Sequence, residues 1–458
     1  MTTPPPPQAD DVTAVVRATL ERWASRELPP RITVAFSGGL DSTVLLGALC
    51  RLALPVRIRA AHIDHGLQPQ SAEWSEHCAA TAAALGAQFV TARVAVDQTA
   101  GLGLEAAARD VRYRTLGELM LAGEWLLTAH HADDQLETLL LRFMRGTGVR
   151  GLRGIIPFGP FGVGALGRPL LSFTRAQLHA RALEWNLRWL EDPSNREPRQ
   201  DRNYLRLHVV PALLARWPDA AQHAERLAEQ AGEAERLLDA VAAEDARPLV
   251  APWHVPRTVL AALEPARQRN LLRHVLRAVG LGTPSARKLE ELRAALLEAH
   301  ADSHTQVSWP GAEGRVFRDA LYLGVPPAAH SPADHAARID SAAAWSGPEG
   351  RVELLPVQTS PGVPESWLAE GLTLRFRAGG ERFRPRGRQH HHSLKDLFQE
   401  HGVVPWMRDR VPLLYRGAAL VAIGDLWLSA DVDAAPATEP RYSVRWTEHP
   451  PVRAPEKS

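Results

Sequence analysis

Short apolar runs and longer amphipathic stretches alternate along the first third of the chain. Val12, Val15, Val16, Ala18, Leu20 and Trp23 recur at helical spacing, which predicts a helix over residues 12–25. Residues 32–36 form an apolar run too short for a helix, and they predict a buried strand. A helix over 43–52, a strand over 56–66 and a helix over 71–85 follow. A third strand is predicted over 87–96, a helix over 105–121, a fourth strand over 125–128 and a helix over 132–145. Strands alternating with helices of ten or more residues imply an α/β fold, a parallel sheet covered on both faces. Ligands of such sheets sit beyond the carboxyl ends of the strands, and each polar cluster of this region falls at such an end.

The pattern changes after Leu152. Glycine and proline crowd residues 151–169, a helix is predicted over 175–186, and a basic segment carries Arg196, Arg199, Arg202, Arg206 and Arg216 against Glu197 and Asp201. Residues 219–300 read as helical, 326–364 as a proline- and alanine-rich linker with a strand or two, and 372–446 as a small mixed α/β region. The expected divisions are a tail and first helix over 1–30, a nucleotide-binding catalytic domain over 31–217 and a helical domain over 218–325. A linker over 326–370, a C-terminal domain over 371–446 and a tail over 447–458 complete them.

Composition narrows the class. A chain of 458 residues exceeds a single core. With 45% hydrophobic and 23% charged residues it reads as an ordinary globular protein. The net charge of +1 means that a nucleic-acid surface has to come from local clustering. Two cysteines, Cys50 and Cys78, lie in apolar helical patterns and read as buried thiols in a reducing compartment. No apolar run is long enough to span a membrane, so the expected location is cytoplasmic.

The first chemistry lies between the first strand and its helix, in Ser37-Gly38-Gly39-Leu40-Asp41-Ser42. Two glycines permit a tight turn and a close backbone approach, and the helix start behind them presents unpaired N–H groups to a phosphate. No Gly-Lys-Ser/Thr follows, so this is not a Walker loop. Asp41 reads either as a helix cap or as a ligand for Mg²⁺ standing between it and phosphate. At the end of the fourth strand, Thr128, His130, His131, Asp133, Asp134 and Glu137 fall within eleven residues. Asp134 and Glu137 share one helix face. Capping explains one or two such acids but not a histidine pair followed by three carboxylates. Basic clusters lie over 142–153, near Asn203, and over 375–410, where nine Lys or Arg face four acids. Phe383, Phe398 and Trp406 nearby read as core residues or as stacking platforms.

The loop resembles the pyrophosphate-binding loop of the ATP-pyrophosphatase (PP-loop) superfamily, with its adenine nucleotide α-hydrolase-like sheet. Further strings narrow the likeness: His62 to Leu67, Gly103 to Tyr113, Thr128 to Thr138, Arg145 to Leu152, Arg168 to Leu171, Glu191 to Asn195, Phe383 to Arg388, Ser393 to Gln399 and Pro405-Trp406. Together they resemble the tRNA(Ile)-lysidine synthetase family from about Val34 to Leu428.

That resemblance implies a ligase acting on the wobble cytidine of an isoleucine tRNA with a CAU anticodon, using ATP, Mg²⁺ and free L-lysine. It implies nucleotide binding by Ser37, Gly38, Gly39, Leu40, Asp41, Ser42, His62, His130 and Asp133, with Asp41 also the metal ligand. Catalytic roles are expected for Asp41, Asp134, Glu137 and Arg112; for Arg109 and Arg112 a solvated helix face remains the other reading. tRNA contacts are expected at Arg145, Arg202, Arg206, Arg382, Arg384, Arg386 and Lys395, and the family likeness leans toward a homodimer. A thiolase or ammonia-using synthetase of the same superfamily and a non-catalytic nucleotide-sensing RNA binder are the competing classes. The thiolase lacks a suitable cysteine pair here, and the RNA binder has no need of Asp134 and Glu137.

Overall fold

The computed structural model describes residues 11–24, 27–64, 66, 71–94, 104–191, 201–298, 305–327, 336–339, 344–358, 361–436 and 438–455, the side chains of 104–106 excepted. His65, Leu67, Gly103, residues 192–195, Arg196, Glu197 and Arg199 lie outside them. The chain divides into two units, residues 1–237 and 238–458.

In the first unit, α1 (Val12–Ala24) precedes β1 (Arg31–Ala35), α2 (Leu40–Arg51), β2 (Arg57–Asp64) and α3 (Ser71–Leu85). Then come β3 (Gln88–Arg93), α4 (Leu104–Glu118), β4 (Trp125–Leu127), α5 (Ala132–Met144) and α6 (Val149–Leu152). The sheet order is β3-β2-β1-β4-β6-β5, where β5 (Phe158–Phe161) and β6 (Gly164–Gly167) form a hairpin. All neighbours pair in parallel except β5 with β6. That hairpin falls in the glycine- and proline-rich stretch, where no apolar run announced a strand. The sheet reverses direction of growth between β1 and β4, the topological switch point of an open α/β sheet.

Burial on both faces explains the apolar strands. Ile32, Val34, Ala60 and Leu127 pack with α1, α2, α3 and α7 (Arg175–Glu184), while Ala61, Ile63, Leu126 and Leu166 pack with α4 on the other face. One polar set is buried with them. Glu124, fully buried, accepts hydrogen bonds from Thr33 Oγ1, from Arg59 at 2.9 Å and from the Leu121 amide at 2.9 Å. Arg59 also donates to Thr33 Oγ1 at 2.8 Å and to the Leu119 carbonyl at 2.9 Å. A buried ion pair is tolerable only when its remaining valences are satisfied in this way. It ties β1, β2 and the approach to β4 together.

After α7 the first unit continues through α8 (Asp201–Tyr204), a π-helical turn over Leu205–Val209 and α9 (Val210–Arg216) into α10 (Ala220–Ala246), within which the division between units falls. Pro211 has no N–H to bond the Leu207 carbonyl and its ring crowds that group, which accounts for the widened turn.

The second unit contains β7 (His254–Pro256), α11 (Arg257–Ala261), α12 (Pro265–Ala278), α13 (Ala286–Glu298), β8 (Gln306–Trp309), β9 (Ala312–Phe317) and β10 (Ala320–Gly324). Its helices rest on a four-stranded antiparallel sheet, β7-β10-β9-β8, through Leu271, Leu272, Val275, Leu292 and Leu321. The segment expected to be helical therefore carries its own sheet. Residues 326–370, expected as a linker, contribute Val352, Leu354 and Trp367 to one core with Phe383, Phe398 and Met407. No described helix is long and apolar enough to cross a membrane.

Candidate active site

The loop after β1 is shaped by packing as much as by its glycines. Gly38 has φ +77°, where a side chain is strained, and a Cβ there would lie 2.7 Å from Cys78 Sγ. Gly39 caps α2 in extended conformation without a side-chain cap. Its carbonyl accepts from Ser42 Oγ at 3.0 Å and Thr43 Oγ1 at 2.9 Å, and its amide donates to Ser37 Oγ at 3.3 Å. Ser37 and Ser42 hydroxyls lie 3.1 Å apart. The Leu190 amide donates to the Gly38 carbonyl at 2.9 Å, and a lone parallel bridge joins Gly39 to Leu190. Leu190 therefore braces the loop from the far side, a role that no spacing in the sequence announced. Buried His62 donates from Nδ1 to the Phe36 carbonyl at 3.0 Å, fixing the strand end from behind, so its ring serves the backbone.

The end of β4 delivers the second half of the site. His131, buried at 3% side-chain exposure, stands between three carboxylates. Its Nε2 lies 3.8 Å from Asp41 and 3.5 Å from Asp134, and its Nδ1 lies 3.4 Å from Asp133. Burial alone lowers the pKa of His131, but Asp134, Asp133 and Asp41 outweigh it and raise the net value. For Asp134, burial pushes upward while His131, His130, Arg202 and Arg206 hold the carboxyl well below the usual range. The Asp133 carboxylate accepts from the Arg175 amide at 2.8 Å, serving the first turn of α7. His130 bonds Thr128 Oγ1 at 2.8 Å, and burial drives it down to about 3, so it is neutral at physiological pH.

Asp41 behaves differently. Its Oδ1 is buried without a hydrogen-bond partner among the described residues, and burial raises its pKa, with His131 opposing. An orphaned carboxylate oxygen behind a phosphate-sized loop suits a hard divalent cation. Among the described residues no cluster of three or more His, Cys, Asp or Glu could hold a metal alone, but Mg²⁺ needs only one or two carboxylates plus phosphate oxygens.

Asp134 and Glu137 do share one face of α5, and arginines fill it. Arg202 donates from Nε to Glu137 at 2.9 Å and from a terminal nitrogen to Asp134 at 2.9 Å. Arg206 donates from Nε to Glu137 at 2.7 Å, with further bonds to Glu137 at 2.9 Å and Asp134 at 3.1 Å. Two guanidinium groups expected on RNA thus neutralise the two acids expected to bind an amine. Sequence could not show this, because the partners lie some sixty-five residues apart.

The remaining candidates differ in their contacts, and Arg109 acts electrostatically on His130. Arg112 is exposed on α4, and Arg109 lies over the Tyr113 ring at 5.0 Å. Arg145 is exposed, 3.8 Å from Asp201, while Arg142 is spent on the Gly151 and Gly154 carbonyls at 2.7 and 2.9 Å. In the second unit, Arg382 donates to the His391 carbonyl at 3.2 Å, Arg384 pairs with Asp431 at 2.5 Å and Arg386 with Asp433 at 2.7 Å. Lys395 is exposed. Phe383 and Phe398 are buried and Trp406 packs against the same core, so of their two readings the structure favours the core.

A parallel sheet with a Ser-Gly-Gly-x-Asp-Ser loop at its switch point defines a PP-loop nucleotide-binding protein, and residues 13–213 match the family described as the PP-loop domain. Residues 256–322 match the TilS substrate binding domain and 372–446 the TilS substrate C-terminal domain. The tRNA(Ile)-lysidine synthase of Alkalilimnicola ehrlichii is 43% identical over 437 residues, covering 91% of this chain and 94% of that one. The enzymes of the same name from Methylococcus capsulatus (39%, covering 90% and 95%) and Coxiella burnetii (37%, covering 85% and 87%) are likewise similar throughout. The chain belongs to the tRNA(Ile)-lysidine synthase family.

Proposed function

We propose that this chain makes lysidine on tRNA(Ile), with the Ser37–Ser42 loop and the Asp134/Glu137 pair as the two halves of one site. The supporting observation is their junction: His131 reaches Asp41 of the loop at 3.8 Å and Asp134 of the acid pair at 3.5 Å. In the first half-reaction the C2 oxygen of the wobble cytidine attacks the α-phosphorus of ATP, and pyrophosphate leaves. The amides behind Gly38 and Gly39, with the Ser37 and Ser42 hydroxyls, face the departing phosphates and stabilise their charge. Mg²⁺ held by Asp41, when bound, supplies further neutralisation of that charge.

In the second half-reaction the ε-amine of L-lysine attacks C2, the C–O bond breaks, and AMP leaves with the oxygen. The amine arrives as an ammonium with an ordinary pKa near ~10.4 and must lose a proton to become a nucleophile. Asp134 and Glu137 bind that cation and provide the acceptor for the proton. His131 positions the acids, and neutral His130 is held for the nucleotide. The arginines of the second unit, Arg382, Arg384 and Arg386, with Lys395, bind the tRNA. A homodimer, which the family likeness favours, is read by sedimentation.

The test is incubation with ATP, Mg²⁺, radiolabelled lysine and unmodified tRNA transcripts. Label should enter the CAU-anticodon isoleucine tRNA and no methionine tRNA. Release of pyrophosphate without lysine incorporation would refute the assignment.

A further inference from the structure

All four oxygens of the Asp134/Glu137 pair are occupied. Asp134 Oδ1 accepts from both Arg202 and Arg206, and its Oδ2 accepts from the His131 amide at 3.1 Å. Glu137 Oε1 accepts from Arg206, and its Oε2 from both arginines. The layering is just as definite. The carboxylate side chains are 11% and 2% exposed, whereas those of Arg202 and Arg206 are 26% and 27% exposed. An ammonium approaching from solvent meets two guanidinium groups before it meets Glu137. Two guanidinium groups already neutralise these two carboxylates, so an added ammonium has to displace them. Stripping the arginines away without replacement would leave buried charges uncompensated, which is strongly unfavourable.

The arginines do have another class of partner. Guanidinium binds phosphate oxygens with the same bidentate geometry that it uses for carboxylates. Arg206 also lies on an irregular segment, next to the short helix that carries Arg202. Arg206 stands inside the π-helical turn over Leu205–Val209, an irregular geometry that is frequent at functional sites. Leu205 and Val210 are buried, Val210 against Leu136 and Leu139 of α5, while Tyr204 and Leu207 on the same segment are exposed. The segment is thus anchored on one side only.

We infer that Arg202 and Arg206 are positioning residues that close the amine site in the free chain and open it by transferring to phosphate oxygens. This deepens the proposed function and rests on its assignment of Asp134 and Glu137 to the lysine amine. As the guanidinium groups move onto phosphate, one ammonium takes their place on the acids, and the second carboxylate, now uncompensated, is the acceptor for the amine's proton. Lysine binds more tightly when phosphate is present, which disfavours idle occupancy of the site. The phosphate belongs either to the tRNA backbone or to the nucleotide in the loop.

Equilibrium dialysis of radiolabelled lysine against the full chain separates these sources. The chain is measured alone, with α,β-methylene-ATP and Mg²⁺, and with the isoleucine tRNA transcript. Lysine affinity should rise about tenfold with at least one of them, within the usual range of coupling between sites. The ligand that produces the rise identifies the phosphate. By reciprocity, lysine should tighten that ligand by the same factor. The Arg202→Gln/Arg206→Gln double variant should bind lysine about tenfold more tightly without any phosphate and lose the response. A purely structural role for the arginines would not increase lysine affinity. Arg206→Lys, which keeps the charge and the fold but loses the fork, should show a reduced response. Equal lysine affinity with and without both phosphate ligands, or loss of lysine binding in the double variant while its melting curve is unchanged, overturns the inference. Asp134→Asn and Glu137→Gln distinguish the two levels. If they leave lysine binding intact, the acid assignment itself falls; if they abolish it while the arginine variants change nothing, only the closure falls.

Discussion

Replacing Gly38 by Ala tests why the phosphate loop has its shape. Two costs add. Holding an alanine at φ +77° places an L-residue in the left-handed region, worth roughly 1–2 kcal/mol. The new Cβ would stand 2.7 Å from Cys78 Sγ, closer than real Cβ atoms come to a neighbour, and overpacking of this kind costs about 1–3 kcal/mol. Leu190 Cδ1 at 3.7 Å and His77 at 3.8 Å are at ordinary van der Waals distance and add nothing. The expected loss is therefore about 2–5 kcal/mol, concentrated at β1 and the start of α2. A chain of two units is a poor subject for a single unfolding free energy. Hydrogen exchange of the peptide covering residues 36–51 reads the local opening directly. The steric part can be isolated, because Cys78→Ala removes the sulfur but leaves φ unchanged. In that background Gly38→Ala should cost about 1–3 kcal/mol less than in the parent, a coupling that only touching residues show. Pyrophosphate release should fall with Gly38→Ala and recover partly in the double variant. An equal exchange penalty in both backgrounds would refute the packing argument, and no penalty in either would refute the backbone argument as well.

Asp41→Asn should abolish Mg²⁺-dependent thermal stabilisation in the presence of ATP, and retained stabilisation would move the metal elsewhere. Because burial raises the Asp41 pKa while metal binding needs the carboxylate, Mg²⁺ affinity in the parent should increase with pH, as titration calorimetry would show. The raised pKa of His131 means its interaction with the carboxylates stabilises the fold fully below the ordinary value of 6.5 and is lost as pH rises through the raised value. The melting temperature of His131→Gln should therefore lie furthest below the parent in mildly acidic buffer and converge with it toward alkaline pH. Arg384→Ala with Arg386→Ala should weaken tRNA binding and make its log–log salt slope shallower by about one for each phosphate left unbound, with ATP binding unchanged. Their pairs with Asp431 and Asp433 are exposed and contribute little, so giving them up for phosphate would cost little.

What the sequence disclosed and what it withheld divide along a physical line. Elements whose signal is local were legible. The apolar runs of β1, β2 and β4, the helical spacing of α2 and α5, and the glycines of the loop each state their own conformation. Asp134 and Glu137 fall on one face because three residues span most of a turn. The β5–β6 hairpin was missed because Gly164 to Gly167 and Phe158 to Phe161 carry little alternation, and their pairing is set by the β4 edge. The sheet beneath α12 and α13 was missed because β7 lies some fifty residues before β8, and neither declares its neighbour.

The acid–arginine cluster shows why this distinction bears on function. From sequence, a basic segment around Asn203 argues for RNA, and paired acids on α5 argue for an amine. Each inference treats its residues as facing a ligand. In the folded chain they face each other, because Pro211 widens the turn that carries Arg206 and α8 packs alongside α5. A charge pattern read one segment at a time reports what a group can bind, not what it binds in the resting molecule. Both sequence inferences survive if the partners exchange, since guanidinium suits phosphate and carboxylate suits ammonium. The salt bridges are then a stored neutral state, and the two substrates are what separate them. An enzyme that must join a cation to a polyanion gains order of addition from such an arrangement without a second domain to enforce it.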